Sequence, residues 1–126
     1  MDESRCPCGS GDTFGACCGP ILFGSPAPTA ERLMRSRYTA FATGDVAHLL
    51  RSWHPRTRPR TLEIDPGLLW RRLLIVDRVA GGPFDDEGVV EFEAFWRQGD
   101  DRGSMQERSR FVREDRRWLY VDGEVR

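Results

Sequence analysis

The chain has 126 residues, of which 31% are charged and 39% hydrophobic, a composition that suits one folded domain with a real core and excludes a disordered chain. Mean hydropathy is -0.54 and no run of about 18 apolar residues occurs, which excludes a membrane-spanning helix. With 19 basic and 20 acidic residues the net charge is -1, so no global attraction to nucleic acid is expected.

All 19 basic residues are Arg, whose planar forks suit the many carboxylates. The first residues are acidic and lack the apolar stretch of a secretory signal, so a cytoplasmic chain is expected. All four cysteines follow at once, as Cys6-Pro7-Cys8 and Cys17-Cys18. Four thiolates can enclose a zinc ion as a tetrahedron, and Gly9, Gly11 and Gly15 permit the tight loop that brings the two pairs together. Disulfides or free thiols are the other reading; a Cys17–Cys18 bridge would be strained, and no secretion signal argues for an oxidising compartment. A reactive cysteine would need a base, and His48 and His54 are the only histidines.

The run from Cys6 through Gly9-Ser10-Gly11 to Cys17-Cys18-Gly19 resembles the SEC-C motif, a small zinc module also found at the C-terminus of the SecA translocation ATPase. The resemblance assigns Cys6, Cys8, Cys17 and Cys18 as ligands of one structural zinc ion and implies protein–protein or ribosome-proximal contacts. Many such motifs carry several Lys before the last cysteines. Here that stretch is Asp12-Thr13-Phe14-Gly15-Ala16, without a base, which argues against electrostatic docking on RNA through the module.

The module is expected to occupy residues 1–20 and to end at Pro20. Residues 21–28, with Gly24, Ser25, Pro26 and Pro28, read as a linker. Thr29 then caps a helix with Leu33, Met34, Tyr38, Phe41 and Ala42 at helical spacing, and Gly44 stops it. Asp45 caps a second helix with Val46, Leu49, Leu50 and Trp53 inward, ended by Pro55. Residues 68–76 read as a third, short helix with blurred periodicity. From Val89 the period changes to two. Val90, Phe92, Ala94 and Trp96 share one strand face, and Glu91, Glu93 and Phe95 the other. Strands over 107–113 and 118–121 follow, with turns at 98–103 and 114–116. Helices first and antiparallel strands later predict an α+β layer fold.

The segments Met34-Arg-Ser-Arg-Tyr-Thr-Ala-Phe-Ala-Thr-Gly-Asp45, Glu107-Arg-Ser-Arg-Phe-Val-Arg-Glu114 and Trp118-Leu-Tyr-Val-Asp-Gly123 resemble the YchJ family of bacterial proteins. This resemblance implies that residues 29–126 form a nuclear-transport-factor-2-like domain, in which a curved antiparallel sheet and N-terminal helices make a cone with a pocket. Longer family members add a second SEC-C motif. A function that needs two modules would call for a homodimer of this chain.

No triad, metal-hydrolase or phosphate-loop pattern is present, so an enzyme is the less favoured reading. The residues that could line a pocket are Tyr38, Trp53, His54, Trp70, Glu93, Phe95, Glu107, Ser109 and Phe111. Glu93 and Glu107 could face inward as a carboxylate pair, or lie on solvated faces paired with Arg108 or Arg110. The basic stretch Arg51 to Arg60 reads as a solvated loop whose Arg pair with the acid-rich second half, the other reading being a patch that meets phosphates or an acidic protein surface. The expected function is that of a zinc-binding adapter for an unidentified protein partner. The alternative is a small-molecule binder or enzyme that uses the cone pocket. The cone supports both, so the fold does not choose between them.

Overall fold

The computed structural model describes residues 3–126. A 3-10 turn (Phe14–Ala16) leads into helix α1 (Cys18–Leu22), then α2 (Ala30–Thr43) and α3 (Val46–Arg51). Four strands follow, β1 (Leu69–Ala80), β2 (Glu87–Gln98), β3 (Asp101–Glu114) and β4 (Arg117–Val125). They form one antiparallel sheet in the order β1-β2-β3-β4, curled around the helices. This is the expected α+β architecture.

Local chemistry sets the helix bounds. The Thr29 hydroxyl accepts the Arg32 N–H at 3.1 Å, satisfying one of the free donors at the start of α2. Gly44 closes α2 at φ +82°, a left-handed conformation that glycine adopts without steric cost, and its N–H donates to Ala40 O. Asp45 caps α3 by accepting the His48 N–H at 3.0 Å. The inward stripe of α2, including Leu33, Met34, Tyr38 and Ala40, packs on the concave sheet face through Val90, Phe92, Ala94 and Phe111. Phe111, Val90 and Leu49 are fully buried. Each such side chain contributes on the order of 1.5–3 kcal/mol of hydrophobic stabilisation.

Three expectations are corrected. Residues 68–76 are not a helix; most of them lie in β1. β1 is bulged at Arg71 and Val76, where its register with β2 slips. The strand therefore turns Trp70, Leu73, Ile75 and Arg78 to the helix side, at spacings of three, two and three. A period-two pattern interrupted by bulges imitates a blurred helical one. The expected turn at 98–103 is only Gly99-Asp100; Asp101 onward already pairs with β2. Gly103 lies under the Trp96 ring, where a β-carbon would come within 2.5 Å of it, so the glycine there serves packing rather than a turn. Residues 21–28, read as a linker without regular structure, begin inside a helix. Ile21 and Leu22 belong to α1, and Ile21, Leu22 and Ala27 are buried in the common core. Pro20 lies in the first turn of α1, where its missing N–H costs no helical bond.

Candidate metal centre

The cysteine segment is built as a miniature hairpin. Arg5 and Thr13 pair as an antiparallel bridge, and Phe14 N donates to Ser4 O. Inside it Cys6 N donates to Asp12 O at 2.9 Å and Gly9 N to Cys6 O at 3.1 Å. Gly9 and Gly11 have φ of +78° and +94°, so the loop needs glycine at both positions. The Arg5 guanidinium braces this loop by donating to Gly11 O rather than reaching toward the sulfurs. The 3-10 turn then delivers Cys17 and Cys18. A β-carbon at Gly19 would lie 2.8 Å from Phe14 O, so that position too requires glycine.

The four Sγ atoms lie within 4.8 Å of one another, and all four residues are buried. Cys8 Sγ is 3.6 Å from Cys17 Sγ, and Cys17 Sγ is 4.0 Å from Cys18 Sγ. Four sulfurs about 2.3 Å from a central zinc would be separated by about 3.8 Å along each tetrahedral edge, so the donor set fits that ion. A disulfide would need about 2.05 Å. The thiols also compete for protons. Cys8 is pulled down to about 4, first by the hydrogen bond from Cys18, while that bond and then burial push Cys18 up. Burial pushes Cys17 up as well. Such a cage can ionise throughout only around a cation, and the cluster is able to hold a metal ion.

The site is completed by the rest of the domain. Thr39 of α2, fully buried, donates its hydroxyl to Cys18 Sγ at 3.4 Å and sits 3.8 Å from Cys6 Sγ. Ser10 Oγ lies 3.2 Å from Cys17 Sγ. Four guanidiniums reach over to main-chain carbonyls of the cysteine segment, of α1 and of the connector just after it: Arg35 to Cys8 O, Arg32 to Cys17 O, Arg51 to Leu22 O and Arg117 to Gly24 O. Neither histidine serves as a base for the thiols. His48 Nε2 faces Ser36 Oγ at 2.9 Å and its Nδ1 accepts from Arg51, while His54 pairs with Glu114 at 3.1 Å.

Five of the nine expected pocket residues line one cavity of about 180 Å³ between α2 and the concave sheet face: Tyr38, Trp53, Glu107, Ser109 and Phe111. Glu107 Oε2 accepts from Ser109 Oγ at 2.5 Å and from Tyr120 OH at 3.2 Å. Trp70 lies behind the wall, edge-on to Tyr38. The other three are elsewhere. His54 is held against β4 by its N–H to Tyr120 O. Glu93 accepts from Ser104, and Phe95 stacks under Arg72. Glu107 pairs across the sheet with Phe92, whereas Glu93 pairs with Gln106. The two carboxylates thus point to opposite faces and form no pair. Nor does either meet Arg108 or Arg110, which bind Asp77, Glu91 and Asp122.

Two readings of arginine are also revised. Arg51 and Arg58 bind main-chain carbonyls, and among the described residues no Arg of the 51–60 stretch pairs with a carboxylate. Arg37, which the sequence reading passed over, is the charged residue at the heart of the cavity. It is only 5% exposed, and its guanidinium lies 4.4 Å from the Tyr120 ring centre and 5.0 Å from that of Trp53. Its Nη1 donates to Leu49 O and Ser52 Oγ, and burial pushes its pKa down to about 10. The signal was present, since Leu33, Arg37 and Phe41 share one helical stripe.

Comparison with known proteins places this architecture. Residues 29–123 match the family described as the YchJ middle NTF2-like domain, and residues 4–20 match the SEC-C motif. A UPF0225 protein of Streptomyces coelicolor is 52% identical, with 98% of each chain covered. One from Corynebacterium glutamicum is 48% identical over 96% of this chain and 97% of its own. The solution structure of a SEC-C motif containing protein from Rhodopseudomonas palustris superposes with a TM-score of 0.83 at 33% identity, over 98% of both chains. The crystal structure of another, from Psychrobacter arcticus, shares the fold with a TM-score of 0.79 at 24% identity, covering 98% of this chain and 83% of that one. The chain therefore belongs to the YchJ, or UPF0225, family, which joins a SEC-C motif to an NTF2-like domain.

Proposed function

We propose that the four cysteines hold one zinc ion as a structural fastener, and that the chain is a cytoplasmic adapter whose metal module presents a rigid knob to a protein partner. The observation that carries this reading is the closed cage. Four buried thiols leave no open position for a substrate, which suits a structural rather than a catalytic metal. When bound, the ion would offset half of the thiolate charge and cross-link the two cysteine pairs. The arginine contacts to the carbonyls of Cys8, Cys17, Leu22 and Gly24 support a knob fixed on the domain rather than swinging from it. Beside the metal module Phe23 is 74% exposed, edge-on to Phe14, and offers an aromatic anchor of the kind interfaces favour.

The test is a quantitative pull-down from host lysate with the intact chain, after elemental analysis of its zinc. One zinc per chain is expected, together with a partner that is lost with Cys8→Ser and weakened at least tenfold with Phe23→Ser. A chain without zinc, or a partner that both variants retain, would contradict the reading.

One observation favours the second reading, a small-molecule site in the cone. The cavity between α2 and the sheet holds both a buried guanidinium, Arg37, and the Glu107 carboxylate among aromatic walls. A few convergent polar groups in an apolar cavity are the usual make-up of a ligand site. A compound that raises the melting temperature of the native chain but not of Glu107→Gln would favour it.

A further inference from the structure

A different cavity lies at the seam where the cysteine module meets the domain. It measures about 170 Å³ and is lined by the connecting segment around Ser25 and Ala27, by Arg51 and Ser52 at the end of α3, and by Arg117 and Trp118 at the start of β4. An enclosed apolar space of about 150 Å³ holds one benzene ring, so a single ring or a chain of similar size fits here.

Its chemistry is one-sided. Two guanidiniums line it and no Asp or Glu does. Arg51 uses Nη2 alone, toward Leu22 O and His48 Nδ1, and Arg117 uses Nη1 alone, toward Gly24 O. The remaining nitrogens of both have no partner among the described residues. Trp118 is 2% exposed and buries an indole N–H that finds no acceptor. A buried, unsatisfied donor costs on the order of 1–3 kcal/mol and calls for an explanation. His48, which also lines the cavity, is held down to about 4 by burial, then by Arg51 and Arg37, against the opposing pull of Asp45.

We propose that this seam cavity is a binding site for a small organic anion, a carboxylate on a single ring or short apolar body, held by Arg51 and Arg117 beside the Trp118 side chain. The apolar body would occupy the space bounded by Ile21, Ala27 and Leu33. Because the cavity wall comes from the connector as well as from α3 and β4, an occupant would touch both the metal module's attachment and the domain. This reading is independent of the adapter proposal and of the second cavity on the concave face.

The test uses the full, zinc-loaded chain and follows the Trp118 indole cross-peak by proton–nitrogen NMR. The probes are benzoate, its neutral isostere benzamide and inorganic phosphate. Benzoate is expected to move the Trp118 peak saturably, with Kd at or below about 1 mM. Benzamide and phosphate should bind at least tenfold more weakly, because one lacks the charge and the other the apolar body. Arg117→Gln, at an exposed position, should weaken benzoate roughly tenfold while leaving the other indole peaks in place. Equal binding of benzamide would overturn the anionic assignment, and equal binding of phosphate would overturn the apolar body. No saturable shift with benzoate, or an unchanged affinity in Arg117→Gln, would overturn the site.

Discussion

Thr39 shows how one hydroxyl can tie a metal module to a helix of another substructure. It sits at mid-α2 and points its only donor at Cys18 Sγ. Loss of an outer-shell partner commonly costs 10–100-fold in metal affinity. Thr39→Val keeps the shape and removes the donor, so zinc affinity should fall at least about tenfold by that rule in competition with a chromophoric chelator. Thr39→Ser should restore most of it, and an unchanged affinity in the valine variant would mean that the contact is packing alone. His48 illustrates the opposite case, a titratable group kept neutral. Burial first, then Arg51 and Arg37, hold it at about 4 against an ordinary value near 6.5. Between those values the unfolded chain binds a proton that the folded chain refuses. The stabilisation is therefore complete above about pH 6.5 and is lost as pH falls toward 4, by up to about 3 kcal/mol. The urea midpoint of the native chain should accordingly drop more steeply over that window than that of His48→Gln. Both chains carry the same cysteines, so metal release affects the two alike, and parallel slopes would contradict the assignment.

At the scale of elements, the turns carry the most local information. The β3–β4 connection places Asp115 and Arg116 at φ of +52° and +67°, the left-handed pair that a two-residue hairpin demands and that glycine or asparagine fills more cheaply. Arg116→Gly should stabilise the chain by about 1 kcal/mol, read as a higher urea midpoint with unchanged slope. A lower midpoint would show that Arg116 makes a contribution beyond its backbone. This turn was legible because Glu114-Asp115-Arg116 interrupts two alternating runs, and both helix starts were legible because Thr29 and Asp45 are capping residues that do cap. β1 was not. Its two bulges reset the alternation, and a bulge has no residue signature when it is filled by Arg71 and Val76. The hairpin that follows shows a further constraint hidden from the sequence. A β-carbon at Gly88 would lie 2.6 Å from Gly81 Cα, so those glycines serve a close crossing over Ala30 rather than a turn alone.

Across the whole molecule, several arginines turn inward to hold the cysteine segment on the domain, while Arg108 and Arg110 pair with carboxylates on the sheet. In the sequence the Arg51 to Arg60 stretch suggested carboxylate partners. In the fold Arg51 instead holds Leu22 O, Arg32 holds Cys17 O, Arg35 bridges Glu31 and Cys8 O, and Arg37 fills a cavity wall. Main-chain carbonyls leave no trace in a sequence, so this docking could not be read from it. The four cysteine positions could be, because their chemistry depends on local spacing. The concave pocket was half legible. Alternation placed Ser109 and Phe111 on the inner face and carries Glu107 with them, while it sets Glu93 on the face opposite Phe92, so the strand pattern itself separates the two carboxylates, as the pairing of β2 with β3 bears out. A structural zinc fastener requires a cage that is both metal-bound and closed, and X-ray absorption at the zinc edge of the purified chain measures this directly. The expected first shell is four sulfurs at about 2.3 Å and no lighter atom. A nitrogen or oxygen in that shell, or fewer than four sulfurs, would mean an open site and would contradict a purely structural metal.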